Sequence, residues 1–347
     1  MQETMSKLHH KVPQTYMRAW CFSGESVHTY DKETKKLLNR NISTILAENY
    51  FHSIKAGSLY TTPKALNKIF GLLDQYTVKL NGKILDSKDE LNQNFQDYDE
   101  WEITYPNGNK VSKKKRNEIK QQLISISDDT LEKRWSSELE NGWPSISKNL
   151  YTRLHKILTK DPNEVLTFED FKKLIKYFIM FDWRGENSNA TLNWFMDFLK
   201  DIFPFDKSDM VIPEEKRIYR SDKTVFDEIK HAAMLRFYEQ LLDNRDGMKK
   251  IYESYLANLT IIFLLDRNSG LITSDNPAYE TVDENGNKVP IFVATPKVLI
   301  MLAKKDPLEP NAYKIKLMDQ QEVEYYNNKT FEQASFIISK KELNIPQ

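Results

Sequence analysis

The sequence predicts an α+β protein: mixed sheet elements from its N- and C-terminal parts pack on a central helical region, and a β-hairpin-rich insertion interrupts the order. Three observations predict this. Strand-like segments separated by polar turns occur near residues 26–41 and return after residue 258. Two Asn-Gly pairs fall between residues 74 and 112. Between residues 113 and 258 the apolar spacing becomes helical. The resulting divisions are 1–73 (N-terminal mixed α/β part of the main domain), 74–112 (insertion), 113–258 (helical region) and 259–347 (C-terminal β-rich part of the main domain).

Pro13 fixes its own φ and can open a short helix through Met17 and Trp20. Val27, Thr29 and Tyr30, then Leu37 and Leu38, flank the polar DKETK turn as the two strands of a hairpin, and a helix is expected over 43–49. Asn81-Gly82 and Asn107-Gly108 each suit a type I′ turn, whose central positions both need positive φ. The segment carrying them is polar, so it is expected to project from the body and to leave Trp101 and Ile103 outside the main core. Helices are expected at 114–125, 129–141, 145–158, 189–202, 223–243 and 247–257. Another begins after the Thr167/Asp170 capping pattern and runs to about Trp183, with Phe171, Leu174, Ile175, Phe178, Ile179 and Phe181 as a buried stripe. Leu259–Leu265, Val289–Val293, Val298–Leu302 and Phe336–Ile338 read as strands, and no internal repeat is visible.

Composition narrows the function classes. With 50 Lys and Arg against 50 Asp and Glu, the chain has no global basic field to hold a polyanion, so nucleic-acid contact must be local; the run Lys113–Arg116 reads as a solvated helix start. A single cysteine, Cys21, excludes an internal disulfide and a Cys-rich zinc site, and reads as a small core residue. The first residues carry no apolar core and no apolar run approaches bilayer length, so a cytoplasmic protein with no membrane contact is expected. The abundance of Lys, Asn and Ile is associated with AT-rich bacterial genomes. Only 10 glycines occur, and no Gly-rich phosphate loop is found.

Three features could carry chemistry. In His9-His10-Lys11-Val12-Pro13-Gln14 the adjacent imidazoles point to opposite sides of an extended backbone. Arg184 follows the most hydrophobic helix, where a guanidinium satisfies terminal carbonyls or clamps a carboxylate or phosphate. Ser274-Asp275-Asn276-Pro277 ends a buried strand, where Asx turns form and where catalytic carboxylates find rigid support.

These residues carry a resemblance. His9-His10-x-Val12-Pro13-Gln14-x-Tyr16-Met17-Arg18-x-Trp20, then Tyr30-Asp31-Lys32, Glu48-Asn49-Tyr50-Phe51, the acidic helix around Glu138, Arg184 and Thr273-Ser274-Asp275-Asn276-Pro277 resemble the bacterial family catalogued as domain of unknown function 4238. Met17 stands where that pattern has Leu and Trp20 where it has Phe, and the 74–112 segment has no counterpart in it. The resemblance implies that the motifs belong to one unit and names no reaction. The opening is also similar to the strand that begins some HNH nucleases, but His28 and His52 do not complete that pattern.

A set of His, Glu, Arg, Asp and Asn drawn from distant segments suits a phosphodiester or nucleotide hydrolase, nuclease-like in character, such as a toxin or phage-defence effector. In this reading His10 is the acid or base, with His9 beside it, and Arg184 stabilises phosphoryl charge. Glu138 and Asp275 hold a divalent metal or position water, and Gln14, Ser274 and Asn276 bind. Nucleic acid or a nucleotide is then the partner, and a controlling protein partner is compatible with it. The rival is a non-catalytic binding or sensing module in which His10, Arg184 and Asp275 form a structural polar network. Exposure discriminates them: a catalytic set opens on a cleft, a structural set is sealed.

Overall fold

The computed structural model describes residues 8–161, 164–184, 210–243, 246–282, 286–305 and 313–343. The helix expected at 189–202 lies outside these residues, as do Asn285 and the side chain of Arg184. In chain order the elements open with β1 (Leu8–His10), α1 (Gln14–Met17), β2 (Ser26–Asp31), β3 (Lys36–Asn41), β4 (Ala47–Asn49) and β5 (Ile54–Lys55). There follow α2 (Pro63–Phe70), β6 (Thr77–Leu80), β7 (Lys83–Ile84), α3 (Lys88–Gln93), β8 (Glu102–Thr104), α4 (Lys113–Ser125), β9 (Ser127–Asp128) and α5 (Thr130–Arg134). The helices α6 (Trp143–Leu158), α7 (Phe168–Arg184), α8 (Val225–Asp243) and α9 (Asp246–Asn258) come next. The chain closes with β10 (Leu259–Leu265), β11 (Thr273–Ser274), β12 (Ala278–Val282), β13 (Lys288–Thr295), β14 (Val298–Lys304), β15 (Tyr313–Leu317), α10 (Gln320–Gln333) and β16 (Phe336–Ser339). The class is α+β, as the sequence predicts. No helix among the described residues is long and apolar enough to cross a membrane.

Backbone contacts divide the described residues into two units. The first holds 50–134 and 210–239; the second holds 8–49, 135–184 and 240–343.

In the first unit, Asn81 (φ 49°) and Gly82 (φ 79°) make the expected I′ turn between β6 and β7, and β8 completes a sheet of order β7-β6-β8. At the second Asn-Gly pair only Gly108 (φ 83°) is left-handed, and the Asn107 side chain accepts from Asn109 N–H, which makes a wider loop than I′. The expectation for the insertion is overturned. Trp101 and Ile103 are 1% and 3% exposed and share a core with Ile69, Phe70, Leu91 and Leu123. The cause is two-residue alternation: Glu102 between them faces water, so the segment reads as polar while every second residue is buried.

In the second unit, a five-stranded sheet runs β12-β13-β14-β10-β15, antiparallel except for the parallel pair β10/β15. The run Leu259–Leu265 is apolar except at the buried Thr260 because β10 is interior to this sheet and buried on both faces. Helices α6 and α7 pack on the sheet. The predicted stripe of α7 is buried, and Phe181 joins Tyr16, Trp20, Trp143 and Phe292 in an aromatic cluster whose ring centroids approach to 4.5–4.8 Å at Tyr16–Phe181, Tyr16–Trp20 and Phe181–Phe292. A second, antiparallel sheet of order β11-β16-β2-β3 joins the N-terminal hairpin to the C-terminal strands, as expected. The helix expected over 43–49 is absent. There, Asn41 accepts from Ser43 N–H through its side chain and from Thr44 N–H through its carbonyl, Leu46 takes φ 50°, and β4 pairs with β1 in the register His9↔Glu48.

Candidate functional site

The sequence-predicted residues that the structure describes all lie in the second unit. Strand alternation in β1 buries His9 (1% exposed) and leaves His10 half-buried, with its Nε2 3.2 Å from the Ser43 carbonyl oxygen and 3.2 Å from the Gln14 amide nitrogen. Two residues beyond Gln14, the fully buried Tyr16 hydroxyl lies 2.6 Å from Thr273 Oγ1 and donates over 2.6 Å to the Val293 carbonyl, while the Trp20 indole N–H donates to Leu271 O at 3.0 Å. The N-terminal motif and the Thr273–Pro277 motif are thus bonded directly.

Within the latter motif, Asp275 Oδ1 accepts the backbone N–H groups of Ser335 and Phe336, each at 3.2 Å, and its own N–H returns a bond to Phe336 O at 2.9 Å. The Ser274 hydroxyl donates to Asn276 O and accepts from Asn276 N–H, an ST turn. The Asn276 amide is sealed inside (2% exposed) with no hydrogen-bond partner among the described residues. Glu138 sits exposed on a single π-helical turn, Trp135–Leu139, whose two ends are buried. Cys21 is half-buried; burial, then Glu25, pushes its thiol up, which opposes thiolate chemistry.

The first unit holds a polar centre that sequence reasoning missed. It is built on Phe51-His52-Ser53. His52 Nδ1 lies 2.5 Å from Glu132 Oε2. The antiparallel register Ile54↔Asp128 carries Ser53 alongside Asp129, and Ser53 and Ser127 both donate their hydroxyls to Asp129 Oδ1, at 2.6 and 2.8 Å. The carbonyl of Ser53 accepts the Tyr219 hydroxyl at 2.7 Å, and that of Phe51 faces His231 Nε2 at 2.8 Å. His231 Nδ1 meets both oxygens of Asp222 at 3.0 and 3.1 Å, so each ring nitrogen faces an acceptor, an arrangement satisfied when both carry hydrogen. Of this centre, His52, Ser53, Asp129, Asp222 and His231 are buried.

Beside this centre, a narrow crevice with about 10 Å³ of interior space, room for about one water molecule, lies between residues 57–60 and the start of α8. Leu59, Ile218 and Leu235 wall it, and Tyr60, Tyr219, Asp222 and Glu228 supply its polar groups. Asp227 is committed to capping α8, accepting the N–H groups of Lys223 and Thr224, whereas the next residue, Glu228, lines the crevice. Burial, then the charge of Asp222, raises the Glu228 carboxyl above its ordinary range, with His231 pulling the other way. Burial raises the Tyr219 phenol as well. The crevice therefore sets a carboxyl raised by burial beside the Asp222 carboxyl that faces His231.

No sequence signal marked these groups, because His231 answers to Phe51 across 180 residues and His52 to Glu132 across 80. The nearest hint is the Glu48–Phe51 stretch, which stops one residue short of His52.

Fold and polar centres together define a two-unit α+β protein with a sealed, motif-built network in one unit and an acidic crevice in the other. The chain belongs to the family described as protein of unknown function (DUF4238), which it matches over residues 8–342, nearly its whole length. Neither a curated protein nor a solved structure matches it.

Proposed function

We propose that the chain is a non-catalytic binding or sensing module whose shared motifs are structural. The observation that carries this reading is sealing. Tyr16, Thr273, Ser274 and Asn276 are at most 2% exposed, and Asp275 is bonded to two backbone N–H groups of the chain leading into β16. Buried, mutually bonded polar groups specify a packing arrangement, whereas a reaction centre needs a path for its substrate. The test uses purified protein with single- and double-stranded nucleic acid and nucleoside triphosphates, with and without Mg²⁺, Mn²⁺ or Zn²⁺. The expected result is no turnover by the parent, with a lowered melting temperature in Asp275→Ala. Turnover by the parent that His10→Ala abolishes while leaving the melt unchanged would falsify the proposal.

A second reading, a phosphodiester or nucleotide hydrolase, is favoured by one specific observation. Glu228, whose carboxyl is raised by burial, lines the crevice with Asp222, which His231 holds, and two carboxyl groups in unlike surroundings are what acid–base hydrolysis uses. In that case turnover is lost in Glu228→Gln and retained in His10→Ala.

A further inference from the structure

We propose that Asn81 is a site of self-modification, at which the Gly82 amide nitrogen attacks the Asn81 carboxamide and water completes a deamidation at the tip of the β6–β7 hairpin. Among the described residues Asn-Gly pairs stand at 81–82, 107–108 and 141–142, and their surroundings differ. The reaction needs an amide nitrogen that can give up its proton to base, a carboxamide free to turn over that nitrogen, and a backbone able to close a five-membered ring.

The first pair meets all three needs. Asn81 and Gly82 are exposed, and the space a Cβ on Gly82 would occupy is open. Among the described residues no hydrogen bond holds the Asn81 carboxamide or the Gly82 N–H. Ring closure brings Asn81 Cβ into plane with the Gly82 nitrogen, which sets ψ of Asn81 to about −120°, the value at the first central position of a type II′ turn. Asn81 already has the φ of that position, at 49°. Gly82 has then to swing from φ 79° to about −80°, which a residue without Cβ does at no steric cost. Types I′ and II′ both match the twist of a two-residue hairpin, so the ring forms by rotation of one peptide.

The other two pairs lack these conditions. Gly108 N–H donates to the Tyr105 carbonyl at 2.9 Å, and the Asn107 carboxamide oxygen accepts from Asn109 N–H at 3.0 Å. Asn107 is not left-handed, so a II′ turn is not one rotation away. Asn141 lies in the tight helical turn Glu140–Gly142, and Gly142 sits so close against the Tyr177 hydroxyl that even a Cβ would not fit.

The step balances with water alone. The Gly82 nitrogen loses its proton to base and bonds to Asn81 Cγ, the Cγ–Nδ2 bond breaks, and ammonia leaves. Water then opens the succinimide at either carbonyl. Opening at Cγ gives aspartate, and Asp-Gly still suits a type I′ turn. Opening at the α-carbonyl gives isoaspartate, which routes the main chain through Cβ and Cγ and lengthens it by one atom where the turn fixes the Leu80↔Lys83 register. Either product adds one carboxylate to a chain of formal net charge 0.

The test is mass-spectrometric peptide mapping of the full chain after incubation in mildly alkaline buffer made with heavy-oxygen water, with fragmentation that separates aspartyl from isoaspartyl peptides. The label distinguishes conversion in the folded protein from conversion during digestion. The expected result is conversion at Asn81 about tenfold faster than at Asn107 or Asn141, the factor for opening one hydrogen bond, with the three rates converging in urea. Amide hydrogen exchange should find Gly82 N–H unprotected and Gly108 N–H protected. The isoaspartyl form should melt below Asn81→Asp. A rate at Asn107 or Asn141 equal to that at Asn81 in the folded chain, a protected Gly82 N–H, or rate differences that persist in urea would overturn the proposal.

Discussion

Replacing Tyr16 by Phe removes one oxygen from the point where the N-terminal and Thr273–Pro277 motifs join, and leaves the ring cluster intact. The hydroxyl is fully buried and lies 2.6 Å from both Thr273 Oγ1 and the Val293 carbonyl. Two net hydrogen bonds at about 0.5–1.5 kcal/mol each give about 1–3 kcal/mol, and an orphaned buried carbonyl adds up to the cost of its desolvation. The Thr273 hydroxyl can rotate towards another acceptor, which trims the total, so the expected loss is about 2–3 kcal/mol. Neither the shape nor the burial of the ring is altered, so this cost belongs to the polar link. Urea unfolding followed by circular dichroism and by tryptophan fluorescence measures it, since Trp20 and Trp143 both lie near Tyr16. Thr273→Val completes a double-mutant cycle, with an expected coupling of about 1 kcal/mol. A Tyr16→Phe protein within about 0.5 kcal/mol of the parent would refute the view that this link holds the motifs together.

Two further outcomes are expected of the second unit. A Cβ at Gly142 would stand 2.4 Å from the Tyr177 hydroxyl, which donates to Leu139 O at 2.7 Å, so Gly142→Ala should cost about 1–3 kcal/mol in the same unfolding experiment, and Tyr177→Phe in the Gly142→Ala background should recover part of it. Burial alone would raise the Asp170 carboxyl, but the Arg153 guanidinium and the Thr167 N–H and hydroxyl outweigh it and hold Asp170 at about 2. A carboxyl depressed on folding contributes stability above its unfolded pKa and loses it as pH falls. The contribution, discounted to about 1 kcal/mol for a solvent-screened pair, should therefore disappear between about pH 4 and pH 2, and Asp170→Asn should flatten the melting temperature across that window.

The strands of the second unit were legible because their signals are local. The continuous run Leu259–Leu265 can only be an interior strand or a buried helix segment, and the Asn268-Ser269-Gly270 turn after it limits its length. The stripe of α7 repeats at helical spacing, and Thr167 and Asp170 exchange the bonds that start it. Two errors have local explanations of a different kind. Residues 43–49 have the length and apolar content of a helix, but the Asn41 turn and a left-handed Leu46 divert them into β4. Residues 74–112 look detachable from their polarity, yet that polarity is one face of an alternating pattern whose other face carries Trp101 and Ile103 into a core.

The sequence by itself determined the α+β class, the N-terminal hairpin, the late strands and the two motifs that carry Tyr16 and Thr273, because each is written in residues within one turn or one strand. Tertiary structure alone decided which polar groups are sealed and which meet solvent. His10 and Asp275 look reactive as letters and are held by neighbouring backbone, while Glu228, unremarkable in a helix start, faces a crevice because Asp222 is drawn to His231 and His231 to the carbonyl of Phe51. The physical reason is that burial and electrostatic pairing depend on distances between segments more than a hundred residues apart, and those distances are set by packing, not by sequence spacing.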